Sequence, residues 1–200
     1  YSQGGAVTLG VQRLIEKEYA SDFKIKQVYV GAGPYDIAST YDYCINKDET
    51  GIPCAIPMIV QGLNEGDNLG LPMEYFFEKK LLENYDEWIN SKMYTVSSIN
   101  SLIGENQLSK ILTQEARDKT LEKTSIIYNS MVRNSIINWK PNAPIFLFHS
   151  TTDDMVPYIN SERLKQSFES QGVEFMCDFS DYGTHMVAAV EFMKKVYKYL

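Results

Sequence analysis

Tyr1-Ser2-Gln3-Gly4-Gly5 opens the chain, and the interpretation of every later segment depends on this stretch. A serine followed two positions later by glycine matches the second half of G-x-S-x-G, in which a nucleophilic serine stands on a sharp strand-to-helix turn. Small residues are needed in such a turn because the backbone is strained and neighbouring elements crowd it. The first glycine of the pattern would precede Tyr1. Taken alone, the stretch is equally compatible with a flexible loop before an ordinary helix.

Composition restricts the class of protein. A chain of 200 residues with 44% hydrophobic content is sufficient for one domain with a sizeable core. The net charge of -7, with lysines scattered among acids, argues against a nucleic-acid partner, which requires clustered cations. No apolar run is long enough to cross a bilayer. Because the chain starts with Tyr inside a motif, we expect it to be the later part of a longer protein.

The cysteines and histidines do not indicate a metal site. Cys44, Cys54 and Cys177 lack metal-ligand spacing, and only two histidines are present to assist them. We therefore expect no metal and no cofactor. Cys44 and Cys54 flank a polar loop and could form a short disulfide in an exported protein, and free thiols are the open alternative. Cys177 is predicted to be a buried strand residue.

The first elements alternate between helix and strand, which is typical of a parallel sheet. A helix follows Ser2, and its N-terminus would favour a developing oxyanion at that serine. The apolar stripe predicted to be buried on this helix consists of Val7, Val11, Leu14 and Ile15. A buried strand is predicted over 25–30, ending in the small residues 31–34. Asp36 follows, and a turn-capping role is favoured over that of a catalytic acid.

The middle of the chain, residues 40–139, lacks this alternation. Its first part is punctuated by prolines and glycines, and helical patterns then run from Met73 to Ile89 and from Thr113, a predicted N-cap, to Ile136. A segment of this length is too long for a loop. We predict a helical cap or lid, in which most aromatic residues serve helix packing and some line a pocket for an apolar group.

The sheet is predicted to resume at 144–148, a continuous apolar run typical of a central parallel strand. The segment that follows contains His149, Asp153 and Asp154, and a carboxylate just beyond a buried strand is well placed to orient a histidine. Asn160 or Ser161 is predicted to cap the next helix, which extends to about Ser170.

A last strand is predicted over 173–179, and His185 then begins a terminal helix. The predicted buried side of this helix consists of Val190, Met193, Val196, Tyr197 and Leu200. Serine, aspartate and histidine thus each follow a strand and precede a helix, in the order Ser, Asp, His. In such a triad the imidazole takes the proton of the serine, and the carboxylate fixes the imidazole tautomer. His185 is favoured as the base over His149, for which a structural role bridging the loop is predicted.

These segments resemble the secretory lipase and carboxylesterase branch of the α/β-hydrolases, with relations to prolyl-oligopeptidase-like esterases. Residues 1–5 resemble the nucleophile turn, residues 149–157 resemble H-G-x-x-D-x-x-V-P, and residues 183–185 resemble G-x-H. Ser150 stands where that family usually has glycine. The resemblance implies an α/β fold corresponding to the C-terminal half of a mostly parallel sheet with flanking helices. Residues 1–200 would form the hydrolase domain without its N-terminal part, and residues 40–139 its helical lid.

The resemblance also implies an activity, namely hydrolysis of carboxylic esters through an acyl-enzyme. Ser2 would be the nucleophile, His185 the base, Asp153 the acid and the backbone N–H of Gln3 an oxyanion donor. Two alternatives stay open: a prolyl-oligopeptidase-like serine peptidase, and a non-catalytic binding domain that retains the fold. Expected partners are a small-molecule or lipid ester and the missing N-terminal half of the fold. The expected location is secreted, periplasmic or at the cell surface.

Overall fold

A three-stranded parallel sheet organises the first of two units in this computed structural model, which describes residues 1–199. The first unit comprises Tyr1–Thr40 and Ser135–Leu200, and the second comprises Tyr41–Asn134. In their order across the sheet, the strands are β1 (Val28–Gly31), β2 (Ile145–Ser150) and β3 (Phe175–Ser180). The helices are α1 (Gln3–Glu18), α2 (Ile37–Lys47), α3 (Ala55–Gly66), α4 (Lys79–Glu83), α5 (Val96–Ile103), α6 (Glu122–Asn134), α7 (Ile159–Ser170) and α8 (His185–Tyr199).

Strand β2 is the centre of the first unit and is buried along its whole length. Successive side chains of a strand point to opposite faces of the sheet. Accordingly, Ile145 and Leu147 join one apolar cluster, whereas Phe146 and Phe148 join another. The first cluster also includes Leu9 of α1 with Leu164 and Phe168 of α7, and the second includes Ala188 and Phe192 of α8. Both faces of the sheet are therefore covered by helices, which explains the continuous apolar run of β2.

All three strands and helix α7 differ in their bounds from the sequence prediction, and β2 extends to Ser150 rather than to residue 148. Strand β1 begins at Val28 rather than at residue 25, because the backbone N–H of Val28 is the first to bond to the neighbouring segment, at the Pro144 carbonyl. Strand β3 is shifted to Phe175–Ser180. Helix α7 begins at Ile159, so the prediction that Asn160 or Ser161 caps it is wrong. Both side chains instead bond to other segments of the unit, Asn160 to the Asp36 N–H and Ser161 to His149.

The prediction for the buried side of α1 is wrong. Val7, Val11 and Leu14 are 57%, 49% and 47% exposed, whereas Leu9 and Gln12 are buried. Helix α1 packs on β1, and this contact selects the side that carries Leu9 and Gly5. An apolar stripe predicts an amphipathic helix, but it does not reveal which side meets the sheet in this chain.

The buried side of α8 was also predicted wrongly. Val190, Met193 and Tyr197 are 55%, 62% and 83% exposed, and Val196 is partly buried. Leu200 lies outside the described residues. The buried residues of α8 are His185, Ala188 and Phe192. The last two pack against Phe146 and Phe148 of β2, so the helix turns a different side to the sheet from the one with most apolar residues.

The second unit is helical, but its helices are shorter than predicted. The pattern over 73–89 divides into a 3₁₀ turn (Met73–Tyr75), α4 and a π-helical turn (Asp86–Asn90). The break occurs because the Glu78 N–H bonds to the Ile111 carbonyl and Phe77 forms a β-bridge with Leu112. A helix cannot continue where its backbone groups bond to another segment.

The second predicted helix of this unit is divided in the same way. A 3₁₀ turn (Glu115–Arg117) precedes α6. The Thr113 hydroxyl accepts a hydrogen bond from the Ala116 N–H, so it caps the short turn rather than a long helix. Most of the unit's aromatic side chains are ordinary core residues, as predicted: Phe76, Phe77, Tyr85 and Trp88 are all buried.

The cysteines are free thiols in the structure, with Cys44 and Cys54 buried. Burial raises the pKa of the Cys44 thiol to about 11, with a smaller contribution from Glu49. Cys177 is exposed, contrary to prediction, because β3 is the last strand of the sheet and is only partly covered. Within residues 1–199, no helix combines the length and apolar character needed to span a membrane. In the same residues, no cluster of three or more His, Cys, Asp or Glu could bind a metal ion.

Candidate active site

Ser2 occupies a strained backbone turn immediately before α1. Its φ of 56° and ψ of -135° lie outside the regions that non-glycine residues normally adopt. The Ser2 N–H donates to the Gly31 carbonyl of β1 at 2.8 Å, and its carbonyl accepts from the Gly5 N–H at 2.8 Å. Such strain costs about 1–3 kcal/mol and persists only where surrounding contacts enforce it. The geometry is that of a sharp turn that presents its serine at the end of the helix.

Gly4, the glycine that belongs to the G-x-S-x-G pattern, is not crowded, whereas Gly5 and Gly31 are. A Cβ on Gly4 would meet nothing within 4 Å. A Cβ on Gly5 would lie 3.0 Å from the Gly31 carbonyl oxygen and 3.1 Å from the Tyr35 hydroxyl. A Cβ on Gly31 would lie 2.8 Å from the Tyr1 ring and 2.9 Å from Phe192. The close approach of α1 to β1 therefore depends on Gly5, and the packing of Tyr1 and Phe192 against β1 depends on Gly31.

Gly5→Ala and Gly4→Ala form a matched pair in the first turn of α1. We expect Gly5→Ala to lower the free energy of unfolding by about 1–3 kcal/mol, because its methyl group would press on a backbone oxygen. Gly4→Ala is expected to be neutral or stabilising by up to about 1 kcal/mol, since alanine favours helix and the space is open. Urea unfolding of the full-length protein measures both values. Equal effects would contradict the assigned contact.

Asp153 lies in the loop after β2, with a side chain that is fully buried. Its Oδ1 accepts hydrogen bonds from the backbone N–H groups of Met155 at 2.9 Å and Val156 at 2.8 Å. Burial by itself would raise the pKa of Asp153. Hydrogen bonds from His149, His185 and the two backbone N–H groups outweigh burial and hold the pKa of this carboxyl well below its usual range. Asp153 is therefore a carboxylate at every pH at which the protein would work.

His185 is the first residue of α8 and lies against Asp153. Its Nδ1 is 2.6 Å from Asp153 Oδ2, so Nδ1–H donates to the carboxylate and Nε2 is left without a proton when the ring is neutral. The backbone N–H of His185 donates to Asp154 Oδ1 at 2.9 Å. The adjacent aspartates thus have different tasks, since Asp153 holds the imidazole and Asp154 binds the start of α8.

Tyr1 connects the serine turn with the histidine. Its ring centroid lies 4.9 Å from that of His185, and its hydroxyl donates to the His185 carbonyl at 2.8 Å. Within the described part of the chain, the Ser2 hydroxyl forms no hydrogen bond with either histidine. Hydrogen bonds between a nucleophile and its base are often long without substrate and tighten in the complex. Asp153 and His185 are in direct contact, and Ser2 is joined to them through Tyr1.

Gln3 is the first residue of α1, as an oxyanion donor after the nucleophile would be. The N–H groups in the first turn of a helix have no acceptor within the helix, and they carry the positive end of its dipole. No acidic side chain lies in the first turn of α1 to neutralise this end. The position is therefore suited to an anion or a developing oxyanion.

Ser150, at the end of β2, links the loop that contains Asp153 to the loop that precedes His185, a role that the sequence did not predict. Its hydroxyl donates to the Gly183 carbonyl at 2.7 Å and accepts from the Tyr182 N–H at 3.0 Å. Nearby, the Thr152 hydroxyl donates to Asp181 Oδ1 at 2.7 Å. The departure from glycine at position 150 was the only available indication. These bonds fix the segment leading into His185 relative to the end of β2.

Asp36 is a structural residue, as the sequence favoured. Its carboxylate accepts from the Ser39 N–H at 3.0 Å and the Ser39 hydroxyl at 2.6 Å, which caps the start of α2. Arg163 Nε also donates to it at 3.0 Å. The carboxylate is thus fully occupied by local partners.

The fold is that of an α/β-hydrolase, in which parallel strands are followed by helices and candidate catalytic groups stand at the strand ends. The sequence profile of the Secretory lipase family matches residues 1–196, and the chain belongs to that family. The predicted α/β-hydrolase fold and the resemblance to secretory lipases are therefore confirmed. Comparison with curated protein sequences finds no significant match.

Solved structures agree with this fold. A putative hydrolase from Legionella pneumophila has a TM-score of 0.81 and 21% identity, covering 100% of this chain and 53% of its own. The rice cell wall degrading esterase LipA from Xanthomonas oryzae has a TM-score of 0.77 and 19% identity, and the match covers 98% of this chain and 53% of the esterase. Candida antarctica lipase A in its closed state has a TM-score of 0.62 and 16% identity, and the match covers 94% of this chain and 44% of the lipase. The chain thus spans about half the length of the first two structures.

Proposed function

We propose that the protein is a serine hydrolase that cleaves carboxylic esters through an acyl-enzyme. The observation that carries the proposal is the 2.6 Å contact between His185 Nδ1 and the buried Asp153 carboxylate. This contact lies in the same unit as Ser2 on its strained turn. Membership of the secretory lipase family and the similarity to structures of an esterase and a lipase support an ester as substrate.

The proposed first step forms the acyl-enzyme. Ser2 Oγ attacks the ester carbonyl while His185 Nε2 takes the hydroxyl proton. Asp153 keeps the proton of His185 on Nδ1 and stabilises the imidazolium that forms. The Gln3 N–H, at the positive end of α1, donates to the tetrahedral oxyanion. Collapse of this intermediate breaks the ester C–O bond, and His185 returns its proton to the leaving alcohol.

The second step releases the acid. Water attacks the acyl-Ser2 carbonyl, and His185 takes a proton from the water as it did from the serine. The second tetrahedral intermediate collapses, the Ser2 oxygen regains its proton from His185, and the carboxylic acid leaves. No cofactor takes part in this scheme.

Three further parts of the proposal concern the protein beyond its triad. Residues 40–139 would act as a lid, a role supported by their insertion between β1 and β2. Additional N-terminal strands and helices would complete the hydrolase, supported by the half-length coverage of related structures and by the exposed apolar sides of α1 and α8. Secretion is supported by the name of the family.

Covalent labelling tests the nucleophile. The full-length protein is treated with a fluorophosphonate and examined by intact mass and peptide mapping. We expect one adduct, on Ser2, that is unaffected by Ser21→Ala, a change at an exposed serine whose hydroxyl bonds to Asp22. A folded protein that acquires no adduct would favour the non-catalytic binding domain.

A substrate panel tests the reaction. p-Nitrophenyl esters of increasing acyl length are compared with proline-containing amides, using the protein that acquires the label. We expect ester hydrolysis to exceed amide hydrolysis in kcat/KM. Preferential cleavage of the amides would indicate the serine peptidase instead.

A further inference from the structure

His149 is a second imidazole at the proposed triad, and its side chain is fully buried. Its Nδ1 lies 2.7 Å from the Ser161 hydroxyl of α7. Its Nε2 faces two acceptors, the Val156 carbonyl at 3.2 Å and Asp153 Oδ2 at 3.3 Å. A neutral imidazole carries one proton, and a nitrogen that faces only acceptors must hold it. Nε2–H therefore donates to the carbonyl and the carboxylate, while Nδ1 accepts from Ser161.

Asp153 Oδ2 is consequently shared by two histidines. His185 approaches it at 2.6 Å and His149 at 3.3 Å, while Oδ1 is held by backbone N–H groups of the same loop. We propose that His149 is a positioning residue of the ester hydrolase, which fixes the Asp153 carboxylate and moderates its basicity towards His185. This inference rests on the proposed function.

Two packing contacts hold His149 in this orientation. Side chains alternate along β2, so His149 follows Ile145 and Leu147 on the face that carries α7. There the Ser161 hydroxyl fixes Nδ1, and the Tyr158 ring packs edge-on at 5.6 Å between centroids. The imidazole thus cannot turn without breaking the Ser161 bond, and Nε2–H stays directed at the aspartate loop.

The sign of the effect follows from the groups around the pair. The titratable or charged groups that face Asp153, His149 or His185 are Asp154 in the loop, Tyr158 at the start of α7 and Tyr1 beside the histidine. None of them would replace a lost Nε2–H donor. Without that donor, Asp153 concentrates more negative charge on His185 and favours the imidazolium form. As the pH is lowered, the imidazole of His185 would then be protonated, and stop acting as a base, at a higher pH than in the original protein.

His149→Asn and His149→Gln are the matched variants. The amide nitrogen of glutamine reaches the position of Nε2, whereas that of asparagine reaches only the position of Nδ1. We expect His149→Asn to lower kcat for a p-nitrophenyl ester about tenfold, with little change in KM, and to move the acid limb of the kcat/KM profile upward by about half to one pH unit. His149→Gln should restore the acid limb and return kcat to within about threefold of the original.

A third variant separates position from folding. Ser161→Ala retains the imidazole but removes the partner of Nδ1, so we expect a smaller decrease in kcat, in the same direction as His149→Asn. Thermal unfolding of all variants identifies any that do not fold. Folded Asn and Gln variants with the same kcat and the same acid limb would overturn the proposal, because a purely structural role does not distinguish them.

Proton NMR distinguishes failure of this inference from failure of the proposed function. The proton on His185 Nδ1, in its short bond to Asp153, should give a resonance far downfield. We expect it to shift in His149→Asn and to return in His149→Gln. If the original protein hydrolyses no ester but the resonance behaves in this way, the proposed function fails and only the hydrogen bond from His149 to Asp153 stands. If esters are hydrolysed but the resonance is the same in all variants, the role of His149 fails alone.

Discussion

Ser2→Ala is expected to reduce kcat for ester hydrolysis by between about 10⁴-fold and about 10⁶-fold, the largest loss of any single change in the protein. The alanine leaves the oxyanion donor and the substrate contacts in place but removes the only oxygen that can form the acyl-enzyme. Steady-state hydrolysis of a p-nitrophenyl ester measures the loss, and fluorophosphonate labelling of Ser2 should disappear with it.

Ser2→Ala should have little effect on the stability of the fold. The Ser2 hydroxyl forms no hydrogen bond within residues 1–199, so its removal deprives no buried group of a partner. We therefore expect the free energy of unfolding of Ser2→Ala to differ from that of the original protein by less than about 1 kcal/mol. Retained hydrolysis in a folded Ser2→Ala protein would exclude this residue as nucleophile. Ser21→Ala, on an exposed side chain, should leave kcat unchanged.

The sheet and its chemistry could be predicted from sequence because both are local properties. The apolar run of β2 identifies a doubly covered strand, and the polar residues after β2 and before α8 mark the strand ends. Parallel strands bring such ends to one edge. The contact between Asp153 and His185, which joins residues 32 positions apart, followed from this rule.

The sides of the helices could not be predicted, because they depend on contacts between distant segments. Periodicity identified α1 and α8 as amphipathic, but Leu9 and Phe192 face the sheet while Val11 and Met193 are exposed. The same reason accounts for the broken helices of the second unit. There, the bond from the Glu78 N–H to the Ile111 carbonyl overrides a helical pattern that is continuous in sequence.

The finer parts of the site were also beyond sequence reasoning. Nothing in the sequence indicates that Ser161 of α7 would bond to His149, since twelve positions and a loop separate them. The sequence placed Ser161 at a helix cap, where serine is usually found. The structure places it inside α7, where its hydroxyl meets a buried imidazole.

Asp153→Asn is expected to reduce kcat about 10⁴-fold, with Asp154→Asn as the matched control on the adjacent residue. Asparagine is nearly isosteric with aspartate, but its amide nitrogen is a donor and would face the Nδ1–H of His185, which is also a donor. The imidazole would avoid this clash of donors by carrying its proton on Nε2, where it can no longer take a proton from Ser2. Within the described residues, Asp154 Oδ1 accepts only from the backbone N–H of His185, so Asp154→Asn should lower kcat less than about tenfold.

The pH dependence of stability provides an independent test of the same residue. The pKa of Asp153 is lowered in the folded protein, so its carboxylate contributes stability above the unfolded value of about 3.9. That contribution is lost as the pH falls through the folded pKa. Asp153→Asn should therefore be less stable than the original protein at neutral pH, and the difference should shrink in acid. A constant difference in unfolding free energy between pH 7 and strongly acidic pH would show that Asp153 is not the ionised partner of His149 and His185.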